Sequence, residues 1–281
     1  MAHTQPLDFL VVGHVTHDLV DGGWRCGGAA LYASAVAARL GLHAGVLTAA
    51  PSDSDLRDLP DSVEVHRRPS ASTTDFRNTY AGSSRTQEIT SIAEPIRPAD
   101  IPAELAETPL VLLGPVIGEV DPAVRARFSG SVGVGAQGWL RAAVDDRVVF
   151  TEWQADAALE GSAALFASTE DAPPDRMPRL IRHWMARISI VIVTAGPSGG
   201  TAYIDGQECS IPVFRARQVD PTGAGDAFAA AFLARYAETS DPYEALEFAA
   251  AAAACSVEGF GISAIPDREM ISARRREGAI G

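Results

Sequence analysis

Lysine is absent from this chain, and all 23 of its basic residues are arginine. That excludes every mechanism built on a lysine amine, including Schiff-base catalysis and the lysine of a phosphate-binding P-loop. Cysteine is scarce: Cys26, Cys209 and Cys255 are an odd number, far apart and without a CxxC pair. Such cysteines argue against a zinc site or a disulfide framework and read as small buried residues in a reducing compartment. The six histidines include no HExxH spacing, and His14 and His17 fall in a strand-to-loop segment with no thiolate pair beside them. No apolar run reaches the roughly 18 residues that a membrane span requires. The start, MAHTQPLDFLVVG, has no basic segment ahead of its apolar run, so it is expected to be a first strand and not a signal peptide. A soluble, cytoplasmic protein is the expectation.

Positive charge is also in deficit. The net charge of −13 argues against a partner made of duplex nucleic acid. With 47% apolar and 21% charged residues, the composition is that of a globular chain and not of a disordered one. Its 281 residues suffice to bury a large core.

Short apolar runs alternate with helical patterns, as strands do when they cross over through helices onto a mainly parallel sheet. The runs predict strands over 9–13, 44–48, 110–114, 131–135, 163–167 and 188–194. Several are apolar at nearly every position, which suits strands covered on both faces. Helical patterns fall over 28–40, 122–128, 178–186, 224–236, 242–257 and 267–276, and Gly41 stands where the first of them should stop. Two stretches break the alternation. Residues 73–80 and 85–90 are polar and β-leaning, joined by Ala81-Gly82-Ser83-Ser84, and predict a hairpin that projects as a flap over about 73–90. A shorter hairpin is expected over 203–212, around Asp205-Gly206.

The chemistry concentrates in DPTGAGDAFAAAFLARY, from Asp220 to Tyr236. Glycines weaken a helix, yet two stand at this helix start. There they leave backbone N–H groups unblocked, and with the positive end of the helix dipole these make a site for an anion. Gly223, Ala224 and Gly225 therefore form a candidate cradle for a phosphoryl group. Asp226 would repel such an anion unless it had another task, such as taking the proton of an attacking hydroxyl. Phosphoryl transfer asks for little beyond positioning, charge neutralisation and that base. An ordinary Gly-rich turn with an acidic first turn is the plainer reading of GAGD alone. No GxGxxG follows the first strand, so a dinucleotide-binding oxidoreductase is not indicated.

DPTGAGD followed by AFAAAFLA resembles the C-terminal motif of the PfkB, or ribokinase-like, carbohydrate kinase family. CGGAALYASAVAARLG resembles that family's glycine-pair motif, VVGHVTHDLV its first strand and the substrate-contacting Asp, and VTAGPSGG its nucleotide loop. The four segments stand in the family's order and spread over nearly the whole chain. The resemblance implies a single α/β domain over 1–281, a ribokinase-like three-layer sandwich whose mainly parallel central sheet is flanked by helices and carries a small, reduced β lid. It implies ATP-dependent transfer of the γ-phosphoryl group to a hydroxyl of a small polyhydroxylated acceptor, with Asp226 as general base and the Gly223-Ala224-Gly225 helix start as anion hole. Asp18, Gly27 and Gly28 would meet the acceptor. Thr194, Gly196 and Gly199 would line the nucleotide, with Gly259 and Gly261 near its base. Gln137 and Arg141, at the end of a predicted strand, are further candidates for the acceptor.

Three departures from the family pattern stand out. Ser168 and Asp171 occupy the places where an Asn and a Glu usually organise Mg2+, with Glu170 a neighbouring carboxylate. Only His14 to Cys26 separate the first strand from the glycine pair, which leaves little room for inserted lid strands. Tyr32 stands near the place of the family's usual Asn. HD after the first strand, GGAA and the short lid together resemble the myo-inositol kinases, so a cyclitol or sugar is the leading acceptor. A nucleoside or vitamin-precursor kinase, with Phe76, Tyr80 and Trp139 for stacking, and a non-catalytic ligand-binding relative remain the alternatives. The expected partners are ATP, Mg2+ and a small polyol, with neither nucleic acid nor membrane, in a monomer or homodimer.

Overall fold

A computed structural model describes residues 5–20, 22–81 and 84–280, with the side chains of 78–86 left aside. In chain order its strands are β1 (Phe9–Val12), β2 (Thr16–Val20), β3 (Gly23–Gly27), β4 (Ala44–Ala50), β5 (Glu64–Pro69), β6 (Thr74–Ala81), β7 (Ser84–Ser91), β8 (Leu110–Leu113), β9 (Ser131–Gly135), β10 (Arg141–Val144), β11 (Arg147–Phe150), β12 (Ala164–Ser168), β13 (Ile190–Thr194), β14 (Gly200–Ile204) and β15 (Gln207–Ser210). Its α-helices are α1 (Gly28–Arg39), α2 (Ala103–Ala106), α3 (Asp156–Leu159), α4 (Met177–Met185), α5 (Ala224–Thr239), α6 (Pro242–Ser256) and α7 (Arg268–Glu277).

Nine strands form the central sheet in the order β15-β14-β13-β12-β9-β8-β1-β4-β5. All its neighbours are parallel except β13–β14 and β14–β15. Strands β1, β4 and β8 are buried at every position, which agrees with their near-continuous apolar runs. One core lies between the sheet and α1, α5, α6 and α7, and a second lies on the other face, where Trp184 of α4 is fully buried. The result is an α/β sandwich with helices on both faces. The sheet runs outward in both directions from β1, and Gly13 and Gly114, just past the ends of β1 and β8, nearly touch there. A Cβ on Gly13 would lie 2.3 Å from the Gly114 carbonyl oxygen. Ligands of open α/β sheets collect at the carboxyl ends of strands beside such a switch point.

The second sheet is larger than the expected flap. Its six strands run β10-β11-β7-β6-β2-β3. The 73–90 hairpin is present as β6 and β7, although Gly82 and Ser83 at its tip lie outside the described residues. The segment after β1, which looked too short for lid strands, holds both β2 and β3, because a tight turn with Gly22 at φ +86° closes them into a hairpin. A second tight turn, Asp145 at φ 49° and Asp146 at φ 60°, adds β10 and β11. Neither pair carries the long alternation that announces a strand in sequence.

Alanine-rich α5 and α6 pack closely on each other, and α6 packs on α7. Arginines secure this layer. Arg275 grips Glu244 through both nitrogens, at 2.9 and 2.7 Å, while Arg235 binds the same carboxylate at 2.7 Å. Glu244 is half-buried and its pKa is held low, by the hydrogen bond from Arg275 above all. Glu244→Ala is expected to remove the carboxylate that Arg275 and Arg235 share, leaving them with Glu247 and Glu238, and to cost on the order of 1–3 kcal/mol, read as a lower urea midpoint at unchanged m-value.

Candidate active site

Helix α5 begins without a cap. Asp241 caps α6 by accepting from the N–H groups of Tyr243 and Glu244, and Asp267 caps α7 by accepting from that of Met270. The residue before α5 is instead Gly223, at φ +78° in the left-handed region, with no side chain bonded to the helix end. A residue other than glycine is excluded there twice over. The backbone is left-handed, and a Cβ would lie 2.2 Å from atoms of the Tyr32 ring. Gly225, one residue into the helix, has open space where its Cβ would be. The first N–H groups of α5 are thus bare of side chains, as an anion cradle requires.

Asp226 sits in the first turn of that helix, half-buried. Burial pushes its pKa up to about 7, the Asp171 carboxylate pushes in the same direction, and Arg141 opposes both. A carboxylate with its pKa near neutrality is a competent proton acceptor. Asp171 is 2% exposed. Its Oδ2 accepts from the Ser168 N–H at 2.7 Å, and its Oδ1 accepts from Gln137 Nε2 at 3.1 Å with Arg141 Nη2 at 3.9 Å. Burial raises the Asp171 pKa too, against the pull of Arg141, Ser168 and Gln137. Gln137 and Arg141, the further candidates for the acceptor, both reach Asp171, and Arg141 also acts on Asp226 by its charge.

This arrangement bears on Mg2+. Asp171 has protein partners on both oxygens, and Glu170 is exposed on the same turn. Among the described residues no group of three or more His, Cys, Asp or Glu side chains is placed to hold a metal. The chain therefore does not fit a directly ligated Mg2+ at Asp171 and Glu170, because hydrogen bonds already take up the carboxylate that the sequence pattern nominated.

The remaining candidates lie around the same rim. Asp18 on β2 is in register with Arg25 of β3 and Phe76 of β6, so these three share one face of the second sheet. A Cβ on Gly27 would lie 2.7 Å from Asp18 Oδ2 and 2.9 Å from the Thr16 hydroxyl. Gly28, at φ +84°, lies against the His14 carbonyl. The two glycines thus let the start of α1, itself uncapped, approach the carboxylate of Asp18. Arg77 is in register with Leu19 and falls on the opposite face. His17 on that face stacks on Trp24 at 3.9 Å, with Arg57 over the indole at 5.2 Å. His14 is fully buried, its ring nitrogens 2.7 Å from the Thr74 hydroxyl and 3.1 Å from the Glu94 carbonyl, and burial lowers its pKa.

Thr194 ends β13, and Gly196 and Gly199 are both left-handed in the turn to β14. The Gly261 N–H donates to Asp220 Oδ2 at 3.2 Å, which ties the Gly259–Gly261 loop to the start of DPTGAGD.

Comparisons with known proteins bear on the family and the fold. Residues 163–268 match the model of the pfkB family carbohydrate kinases. An inositol 3-kinase of Zea mays is 31% identical over 257 residues, covering 81% of this chain and 66% of its own length. The chain belongs to the pfkB family. An inositol 3-kinase of Oryza sativa is 33% identical over 214 residues, 72% of this chain and 48% of its own. The chain thus spans less than two thirds of these plant relatives. Among solved structures, a pyrophosphate-dependent kinase in the ribokinase family, complexed with a pyrophosphate analog and myo-inositol, superposes with a TM-score of 0.77. It is 25% identical, over 94% of this chain and 99% of that one. A ribokinase of Arabidopsis thaliana with ribose and ATP shares the fold, at a TM-score of 0.71 and 20% identity over 96% and 98% of the two chains.

Sequence reasoning missed two residues of this site. Tyr32 was noted only as a departure, and Arg25 not at all. An aromatic one turn into the glycine-pair helix was the available signal for the first, whereas an isolated exposed arginine gave none for the second.

Two outcomes are expected. Asp226 holds its proton more tightly folded than unfolded, where its pKa is about 3.9. Folding is therefore favoured below that value and loses stability as pH rises towards 7. Asp226→Asn should melt on the order of 2 °C or more above the parent at pH 8, with the gap closing below pH 4 in calorimetric scans. Gly223→Ala should be destabilised by on the order of 1–3 kcal/mol through overpacking against Tyr32, read from a urea titration.

Proposed function

We propose that the protein is an ATP-dependent kinase that moves the γ-phosphoryl group to a hydroxyl of a small polyhydroxylated acceptor, with a cyclitol such as myo-inositol leading the sugars. The observation that carries the reading is the pairing at the start of α5. A carboxylate with its pKa raised to about 7 stands one turn into a helix whose end is left bare by a left-handed glycine. The Gly223-Ala224-Gly225 backbone receives the charge of the transferring group, and fixed donors there cost no reorganisation during the step. Asp226 takes the proton as the acceptor oxygen attacks phosphorus and the bond to the leaving phosphate breaks. Asp171 and Arg141 set the proton affinity of Asp226 from opposite sides. Asp18, with Gly27 and Gly28, holds other hydroxyls of the acceptor. Thr194, Gly196 and Gly199 line the donor, and Gly259 and Gly261 stand near its base. Mg2+ would travel with the donor phosphates, whose charge it would partly neutralise.

The likeness to a pyrophosphate-dependent kinase favours one second reading, in which pyrophosphate replaces ATP as donor over the same cradle. One experiment separates these. Product release is measured with ATP and with pyrophosphate, each with Mg2+, across inositols, hexoses, pentoses, nucleosides and hydroxymethylpyrimidines. A cyclitol or sugar turned over with ATP is the expected result, and turnover with pyrophosphate alone reassigns the donor. Asp226→Asn should lower kcat by on the order of 10²-fold or more, with donor affinity kept. In the parent, kcat should fall as pH drops below about 7, because the base must be ionised. A non-catalytic ligand-binding protein is the conclusion if no acceptor is turned over with either donor.

A further inference from the structure

Glu119 is a buried carboxylate, 3% exposed, that has no part in the proposed transfer. A carboxylate out of water needs donors on both oxygens. Among the described residues those of Glu119 are backbone N–H groups alone. Its Oε1 accepts from His14 at 3.2 Å and from Val116 at 3.0 Å, and its Oε2 accepts from Val116 at 2.9 Å and from Ile117 at 2.8 Å. These bonds cross the switch point, because His14 follows β1 while Val116 and Ile117 follow β8. One side chain thus gathers the exits of the two strands whose ends meet at Gly13 and Gly114.

The backbone that Glu119 holds is also the seat of α1. A Cβ on Gly28 would lie 2.6 Å from the His14 carbonyl oxygen and 3.4 Å from a methyl of Val116. A Cβ on Gly114 would lie 2.6 Å from the methyl of Ala29, the next residue of that helix. The side chains of Val116 and Ile117 join Phe76 of β6 and Ile89 of β7 in a separate apolar cluster, with Val148 of β11 packed against it. Phe76 is the register partner of Asp18, so this cluster supports the strand pair that carries the carboxylate. The glycine pair and Asp18 therefore rest on one short loop, and Glu119 binds that loop by its backbone.

We propose that Glu119 is a positioning residue for the acceptor: it holds the loop after β8 where Val116 and Ile117 seat both the glycine pair and the strand of Asp18, and so sets the distance across which the acceptor is held. The inference rests on the kinase reading, and Glu119 acts through these neighbours without touching the substrate. The donor side is outside its reach. Thr194, Gly196 and Gly199 lie at the end of β13 and beyond it, and β9 and β12 separate that strand from β8.

Glu119→Gln keeps the shape and replaces one accepting oxygen by a donor. Whichever way the amide turns, the N–H group of His14 or that of Ile117 then meets another donor. The expected result is a KM for the acceptor raised about tenfold, with the donor KM within about twofold of the parent and kcat retained. Glu244→Ala, which is also expected to lower stability but acts in the layer of α5, α6 and α7, is the control and should leave the acceptor KM unchanged. Ile117→Ala removes the loop's hold on the second sheet and should raise the acceptor KM as well. An acceptor KM that moves no further in Glu119→Gln than in Glu244→Ala overturns the proposal, as does an equal rise for acceptor and donor. If Glu119→Gln does not fold, Ile117→Ala decides by the same two criteria. Calorimetry with myo-inositol and ribose, without donor, separates this inference from the kinase reading. A parent that transfers nothing, yet binds one of these polyols about tenfold tighter than Glu119→Gln does, keeps the positioning role and loses the kinase reading. A parent that transfers to an acceptor whose KM both variants preserve keeps the kinase reading and loses the positioning role. A parent that neither transfers to nor binds any of these polyols removes both.

Discussion

The contact between the backbone of Gly223 and the ring of Tyr32 is the constraint on which the rest of the site depends. A ring at that distance leaves no room for a side chain, and the absence of one allows the left-handed turn that starts α5. With the turn comes a helix end free of side-chain caps. Two helices, α1 and α5, are therefore locked together where their uncapped N-termini lie. The packing of α1 on α5 is at once part of the core and part of the chemistry.

The site is built from negative charge that the protein does not neutralise cheaply. Asp171 and Asp226 are brought together in a region that burial has already made unfavourable for carboxylates, and Arg141 is the cation set against both. Each carboxylate answers this differently. Asp171 is satisfied by Ser168, Gln137 and Arg141 and acts as a fixed electrostatic neighbour. Asp226 is left with a raised proton affinity, which is the property a base near neutral pH needs. The shorter acid that stands where the family usually has Glu thus raises the proton affinity of Asp226 from within the protein.

The second sheet divides its work by face. One face carries Asp18, Arg25 and Phe76. The other carries His17, Leu19 and Trp24 against the segment that holds Arg57 and Asp58, whose carboxylate takes the Cys26 N–H at 2.8 Å. Strand alternation produces this division without further instruction. A cover anchored on its outer face can hold Asp18 in a definite position over Gly27.

Much of this was legible in the amino-acid sequence alone. The continuous apolar runs marked six of the seven parallel strands of the central sheet, the glycines marked the uncapped start of α5, and Asp205-Gly206 marked the last hairpin. These features depend on local backbone preference and on burial of whole segments, which short stretches of sequence encode. The destinations of Gln137 and Arg141, the burial of Asp171 and the meeting of Tyr32 with Gly223 were not legible. They join side chains 34, 30 and 191 positions apart, and which of them meet is set by the strand order β12-β9-β8-β1 and by the packing of α1 on α5. Strands β2, β3, β10 and β11 also escaped, because short pairs closed by tight turns borrow their stability from the sheet they join. The sequence by itself determined most of the central sheet's strands and the glycine-bearing start of α5. Only the tertiary structure decided which partners surround Asp226, because its proton affinity is set by neighbours that lie far away along the chain.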